Sequence, residues 1–287
     1  MNPIASSELI INNRGAIYHL DLRPDEIGDT ILTVGDPFRV EKVSRYFDRI
    51  EHRSHHREFI THTGWIGNKK ISVVSTGIGP DNIDIVFNEL DALVNVDLES
   101  RTEKKEKKKL QLIRIGTSGS LQKDIEVDSF VASTHAVGLD NLLHYYARFD
   151  DQHEVDLLTQ FTSQIRFSPN IHPYAASGNA GLLSRFADIA HNGITVTCPG
   201  FYGPQGRVIR MGLANPNLNH DLTAFSWGNQ RILNFEMETA AMYGLGKLLG
   251  HACLSLSAIV ANRLAGKFSN DADATMDKLI RTTLESI

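Results

Sequence analysis

Four short stretches carry side chains whose types and spacing could do chemistry. In Leu112-Ile113-Arg114-Ile115-Gly116-Thr117-Ser118-Gly119 an apolar run is interrupted by one arginine and followed by glycines and hydroxyls. Burying a guanidinium is costly unless it meets an anion, so Arg114 with Thr117 points to an oxyanion pocket or to an ion pair with a nearby Asp or Glu. In Gly35-Asp36-Pro37-Phe38-Arg39, Asp36 suits an N-cap and Pro37 the first helical position, which puts Arg39 in the first turn. A cation there opposes the helix dipole unless an anion is also held, so Gly35 with Arg39 is a second candidate anion element; a solvent-facing arginine is the alternative. The run Pro199-Gly200-Phe201-Tyr202-Gly203-Pro204-Gln205-Gly206-Arg207 sets two aromatics, an amide and a guanidinium on a stiffened backbone. That inventory suits stacking on a flat heterocycle and hydrogen-bonding its edge, although an ordinary surface turn has the same composition.

The fourth stretch, Glu236-Met237-Glu238, leads into an apolar helix. Its two carboxylates point apart in any regular structure, so both can face one ligand only if the segment is irregular. Nothing sets them on opposite sides of a sugar as a glycosidase acid and nucleophile would be. One glutamate accepting from sugar hydroxyls is the better use, and an acid favoured at a helix N-terminus is the plain alternative.

The elements that must position these groups alternate between strand and helix. Residues 30–34 read as a strand, 37–47 as a helix with Val40, Val43 and Phe47 on one face, and 70–76 as a second strand. Gly77-Ile78-Gly79 lacks the third glycine of a dinucleotide fingerprint and reads as a tight turn into a helix carrying Ile83, Val86, Leu90, Leu93 and Val94. Residues 112–115 form a buried strand that turns at the small residues 116–119, and 129–137 form another strand. Residues 148–177 show no clear pattern. A helix through Leu182, Leu183, Phe186, Ile189 and Ala190 stops at Asn192-Gly193, 194–197 is a strand, and a helix reaching Leu249 stops at Gly250 before a strand over 252–261. This alternation predicts an α/β fold in a single domain spanning 1–287, with a charged insertion around 98–110.

Composition narrows the ligand. A chain of 287 residues, 41% hydrophobic, buries a sizeable core, and a formal charge of −5 gives no general attraction to nucleic acid or anionic membrane. In the insertion, Arg101, Lys104, Lys105, Lys107, Lys108 and Lys109 interleave with Glu99, Glu103 and Glu106 and no aromatics, which reads as a solvated surface. The run from His52 to Phe59 has no cysteine and no H-x-x-x-H spacing, so a solvated strand edge is preferred to zinc. Cys198 and Cys253 are too far apart to form a redox motif and suit a reducing compartment. Residues 1–13 lack a signal pattern and no apolar run nears the ~18 residues that span a bilayer. The expectation is a soluble cytoplasmic protein that binds a small anionic molecule, with no metal, nucleic acid or membrane.

Taken together, Gly35-Asp36-Pro37-x-Arg39, His56-Arg57-Glu58, Ser75-Thr76-Gly77-Ile78-Gly79, Arg114-x-Gly116-Thr117, Phe201-Tyr202-x-x-Gln205-x-Arg207, Glu236-Met237-Glu238 and Val260-x-Asn262-Arg263 occur in an order that resembles the uridine phosphorylases of the nucleoside phosphorylase superfamily. The resemblance runs from about residue 18 to 263. It implies a three-layer α/β domain with a mixed, partly barrel-like central sheet, and a homodimer as minimal active unit, three of which can form a hexamer. It also implies reversible phosphorolysis of a nucleoside, with inorganic phosphate as co-substrate and no other cofactor. Carried over by position, Gly35, Arg39, Arg57, Arg114 and Thr117 would bind phosphate, with Arg57 supplied by the neighbouring subunit. Glu236, Met237 and Glu238 would hold the ribose, with His19, also from the neighbour, meeting its 5′-hydroxyl, and Phe201, Gln205, Arg207 and Arg263 would hold the pyrimidine. Arg114, Gln205, Arg207 and Glu238 would act in catalysis. A purine nucleoside phosphorylase, a hydrolytic nucleosidase and a non-catalytic binding protein are the alternatives.

Overall fold

The computed structural model describes residues 3–149 and 151–287. They form two compact units, one of residues up to 113 with 249–252, the other of 114–248 with 253–287.

In the first unit β1 (Thr30–Val34), β2 (Arg49–His56), β3 (Phe59–Ile66) and β4 (Lys69–Ser75) lie in the order β1-β4-β3-β2. β1 and β4 are parallel, with Val34 opposite Ser75, so their carboxyl ends share one edge. The pairs β2–β3 and β3–β4 are antiparallel. α1 (Pro37–Ser44) starts as its sequence dictates, the Asp36 carboxylate accepting from the Phe38 N–H at 3.0 Å, but ends before Phe47. α2 (Pro80–Asn95) buries Ile83, Val86, Phe87, Leu90 and Leu93 along one stripe, each worth about 1.5–3 kcal/mol. The His-rich β2 is an edge strand, as expected. The charged stretch holds a two-rung hairpin, β5 (Val96–Asp97) with β6 (Thr102–Glu103), followed by mostly exposed lysines.

The second unit is built on β7 (Gln111–Ser120, from Arg114 onward), β8 (Phe130–Gly138), β9 (Tyr174–Ser177), β10 (His191–Thr197), β11 (Ser226–Trp227), β12 (Gln230–Glu236), β13 (Ala252–Asn262) and β14 (Lys267–Phe268). Five of these strands close on themselves in the order β7-β12-β10-β8-β13 and back to β7, a mixed barrel. Its parallel strands β8, β10 and β12 end together at Gly138, Thr197 and Glu236. The helices are α3 (Gln152–Gln164), α4 (Ala180–Leu183), α5 (Leu218–Ala224), α6 (Thr239–Leu249) and α7 (Ala272–Glu285). One core joins α3 and α5 to the strands through Leu157, Phe161, Leu222, Phe225, Val196 and Phe235.

Three sequence expectations are corrected here. Residues 116–119 are strand, not turn, because Gly119 and Ser120 pair with Phe235 and Asn234 to close the barrel. Asn192-Gly193 lies inside β10, opposite Ala132 and Ser133, rather than stopping a helix. Gly193 is small because Leu233 packs over it, where a Cβ would lie 2.5 Å from the leucine Cγ. The unpatterned region 148–177 contains α3 and β9. Its periodicity is masked because one buried position of α3 is Glu154, which is ion-paired to Lys247 at 2.6 Å and accepts from the Ser177 N–H.

Candidate active site

The carboxyl ends of β8, β10 and β12 are where a parallel α/β array exposes its loops to a ligand. Glu236 ends β12, and Met237 and Glu238 form the irregular link to α6 that the spacing of the two acids requires. The antiparallel register of β7 against β12 carries Thr117 and Arg114 past the end of β12 and into reach of this link. Arg114 is buried, its Nη2 donating to Glu238 Oε2 at 2.5 Å and lying 3.4 Å from Glu236 Oε2. The ion pair left open by the sequence is therefore present in this site. Nη1 is equally buried and has no hydrogen-bond partner, which costs about 1–3 kcal/mol. Burial pulls the Arg114 pKa down, but Glu238 and Glu236 more than offset it and the net shift is upward.

Gly116 makes this placement possible. The guanidinium folds back along its own strand, and a Cβ at Gly116 would stand 2.1 Å from Arg114 Nη1 and 2.5 Å from Cζ.

The two glutamates have different duties. Glu236 faces inward: Oε1 accepts from the Thr197 hydroxyl at 2.7 Å, and Oε2 accepts the backbone N–H groups of Glu238 and Thr239 at 2.9 Å each. It therefore caps α6 while fixing the link, and burial raises its pKa despite the opposing charge of Arg114. Glu238 faces the guanidinium. Met237, half-buried, separates the two.

The loop after β10 brings Phe201, Gln205 and Arg207 together, with Arg263 against it. Arg207 Nη1 donates to Gln205 Oε1 and to the Phe201 carbonyl, both at 2.6 Å, and its guanidinium lies 3.7 Å from the Phe201 ring centroid. One face of Phe201 is thus already covered by a cation. Because a guanidinium has only donors, the Gln205 oxygen must turn toward it, which aims the amide NH2 the other way. Arg263 Nη1 donates to the Gln205 carbonyl at 2.7 Å, so it braces the loop. Both guanidiniums lie near the Phe235 ring, and burial, with mutual repulsion in the case of Arg207, lowers their pKa values. Asn262, next in line, spends its side chain on the carbonyls of Gln122 and Ile125 and the N–H groups of Leu264 and Ala265.

In the first unit, Gly35 and the Thr76-Gly77 turn sit side by side at the carboxyl ends of β1 and β4, the Thr76 N–H donating to the Val34 carbonyl at 2.8 Å. Arg39 is half-buried in the first turn of α1, and the Asn82 amide fills the space over Gly77. A second group gathers His19, Tyr18, His56 and Arg57. Arg57 is exposed at the tip of the β2–β3 hairpin with φ of 56°, its guanidinium 5.9 Å from the Tyr18 ring centroid. Tyr18 in turn meets the rings of His19 and His56 edge-on at 4.9 and 5.6 Å. Thus the two residues assigned to a neighbouring subunit flank one tyrosine.

Several residues escaped the sequence reading. Thr197 bridges Glu236 and the Ala240 N–H and is visible only as the last β-branched residue before Pro199-Gly200. Asn234, Thr195 and Ser133 form a buried hydrogen-bonded chain at 2.6–2.8 Å inside the barrel with Ser118, whose hydroxyl the sequence places beside the oxyanion candidate. Each is unremarkable until the strands pair.

The carboxyl end of this closed α/β barrel gathers a buried guanidinium, two carboxylates and an arginine-braced amide, groups suited to a small polar ligand. Residues 29–285 match the family described as the Phosphorylase superfamily, and the chain belongs to that superfamily. It is 30% identical over 269 residues to the uridine phosphorylase of Thermococcus kodakarensis, covering 92% of this chain and 83% of that one. The uridine phosphorylase of Escherichia coli is 25% identical over 267 residues, covering 90% of each. Among solved structures, a Trypanosoma brucei nucleoside phosphorylase described as showing uridine phosphorylase activity superposes with a TM-score of 0.89, at 29% identity over 97% of this chain and 98% of that chain. Among the described residues, no helix is long and apolar enough to cross a membrane.

Proposed function

We propose that this protein is a uridine phosphorylase that cleaves uridine, and related pyrimidine nucleosides, to the free base and ribose 1-phosphate in cytoplasmic nucleoside salvage. The observation that carries the reading is the arginine-braced amide of Gln205 on the barrel end that also holds Arg114 and Glu238. A phosphate oxygen attacks the anomeric carbon, the N-glycosidic bond breaks with its electrons on the base, and a proton from solvent neutralises the base. Arg114 and Thr117 are assigned to phosphate, as are Gly35, Arg39 and Arg57 of the first unit, with no metal taking part. Glu238 accepts from the ribose hydroxyls, while Glu236 and Met237 shape that subsite. Gln205 donates to a uracil carbonyl, and Arg207 stabilises the negative charge that grows on the leaving base, so it matters more to the transition state than to binding. Arg263 puts a cation, not an acid, where N7 of a purine would need protonating. His19 and Arg57 serve the site of a second subunit, so the active unit is at least a dimer.

One assay tests this reading. Uridine, thymidine, inosine and adenosine are offered with and without phosphate. Strict phosphate dependence and the highest kcat/KM for uridine are expected. Equal base release without phosphate would make the protein a nucleosidase, and inosine matching uridine would overturn the base assignment.

A further inference from the structure

We propose that Glu89 acts as a positioning residue that locks His19 as its Nδ1–H tautomer, so that His19 can only accept a hydrogen bond from the 5′ end of a nucleoside. The proposal rests on the assignment of His19 to the ribose and adds what that assignment lacks, the direction of the hydrogen bond. Glu89 lies on α2, seventy positions from His19, and its carboxylate gathers three groups of the N-terminal segment. It accepts the His19 N–H at 3.1 Å and the Leu20 N–H at 2.9 Å, and it faces His19 Nδ1 at 2.6 Å. An ionised carboxylate has no proton to give, so the hydrogen in the Nδ1 contact belongs to the ring. In the neutral imidazole Nε2 is then a bare lone pair.

Aromatic neighbours and the Nδ1 contact favour this ring orientation. Tyr18 meets it edge-on at 4.9 Å and Phe59 at 6.5 Å, and the His19 carbonyl is engaged by His56 Nδ1 at 3.1 Å. The side chain is 28% exposed, enough to present one edge outward. A nucleoside 5′-hydroxyl meeting Nε2 must therefore donate. A 5′ substituent that can only accept leaves Nε2 facing another lone pair.

The test compares uridine with 5′-deoxy-5′-fluorouridine, whose fluorine accepts but cannot donate. The intact enzyme should favour uridine in kcat/KM by about 10-fold or more, the range expected when a site is left with one hydrogen-bonding group unpaired. Glu89→Gln keeps an oxygen for the two backbone N–H groups but turns an NH2 toward Nδ1, which must now accept. The ring proton then moves to Nε2, and the preference for uridine should shrink several-fold. His19→Ala should abolish the preference, and adding Glu89→Gln to it should change nothing further. An undiminished preference in a folded Glu89→Gln enzyme overturns the proposal. The ¹⁵N spectrum of the histidines in the wild-type protein at pH 8 decides the lock without any variant: a neutral Nδ1–H tautomer for His19 supports it, and an Nε2–H tautomer or an imidazolium refutes it. A wild-type protein that turns over no uridine would refute the functional reading instead, and the spectrum would still judge Glu89.

Discussion

Gly116 shows how one absent carbon can position a charge. Arg114 reaches Glu238 only by lying across its own strand, and a methyl group at position 116 would overlap the guanidinium. The shortest Cβ contact is with that side chain, so Gly116→Ala should displace Arg114 before it disturbs the barrel. We expect kcat/KM to fall by roughly 10²-fold, comparable to Arg114→Ala, because a preorganised electrostatic contact is lost. Thermal melting should show a loss of no more than about 1–3 kcal/mol, the scale of overpacking one methyl group. Unimpaired activity in Gly116→Ala would show that the guanidinium has another route to its place.

Elements carry two further tests. The β2–β3 hairpin turns through Arg57 and Glu58 alone, with Arg57 in the left-handed region where a side chain costs about 1–2 kcal/mol. Glycine removes that strain but adds freedom to the unfolded chain, so Arg57→Gly should leave stability unchanged or raise it by up to ~1 kcal/mol. The KM for phosphate should nonetheless rise about 10-fold, marking a turn residue kept for its charge. The N-terminal segment is anchored differently, through Glu26, which accepts from Arg14 at 3.1 Å and from the Arg23 N–H at 2.8 Å, with His52 at 3.5 Å. Burial would raise the Glu26 pKa, but these donors outweigh it and the net shift is downward. A carboxylate with a lowered folded pKa stabilises the fold above its unfolded pKa and loses that contribution as pH falls through the folded value. Glu26→Gln should therefore cost about 1–3 kcal/mol at pH 7, and its urea midpoint should converge on that of the wild type as the pH falls below the ordinary carboxylate range. A constant difference across that range would exclude an ionic role for Glu26. The same scale explains which elements could be read in advance. α1 declared itself through the Asp36 cap and Pro37, α2 through its apolar stripe and α6 through an apolar run stopped at Gly250, whereas α3 hides a buried glutamate in its stripe and the strand at 116–119 is written in turn residues.

For the whole molecule, the proposed assignment of His19 and Arg57, which flank Tyr18, to the site of a second subunit predicts complementation between subunits. Inactive His19→Ala and Glu238→Ala proteins, dissociated and reassembled together, should regain part of the wild-type activity through sites that receive intact residues from both chains. Full activity from a demonstrated monomer would exclude this arrangement. What the sequence determined by itself is the set of reactive groups and most of the α/β elements, because caps, periodicity and the order of short motifs are local properties. Arg114, Gln205, Arg207, Glu236 and Glu238 were all visible in that way. Only the tertiary structure decided their duties: Glu236 caps a helix while Glu238 pairs with Arg114, Arg263 braces the Gln205 backbone, and Glu89 reaches His19 from seventy residues away. Those choices depend on strand register and on which donors surround a buried carboxylate. Neither exists until strands distant in sequence have paired.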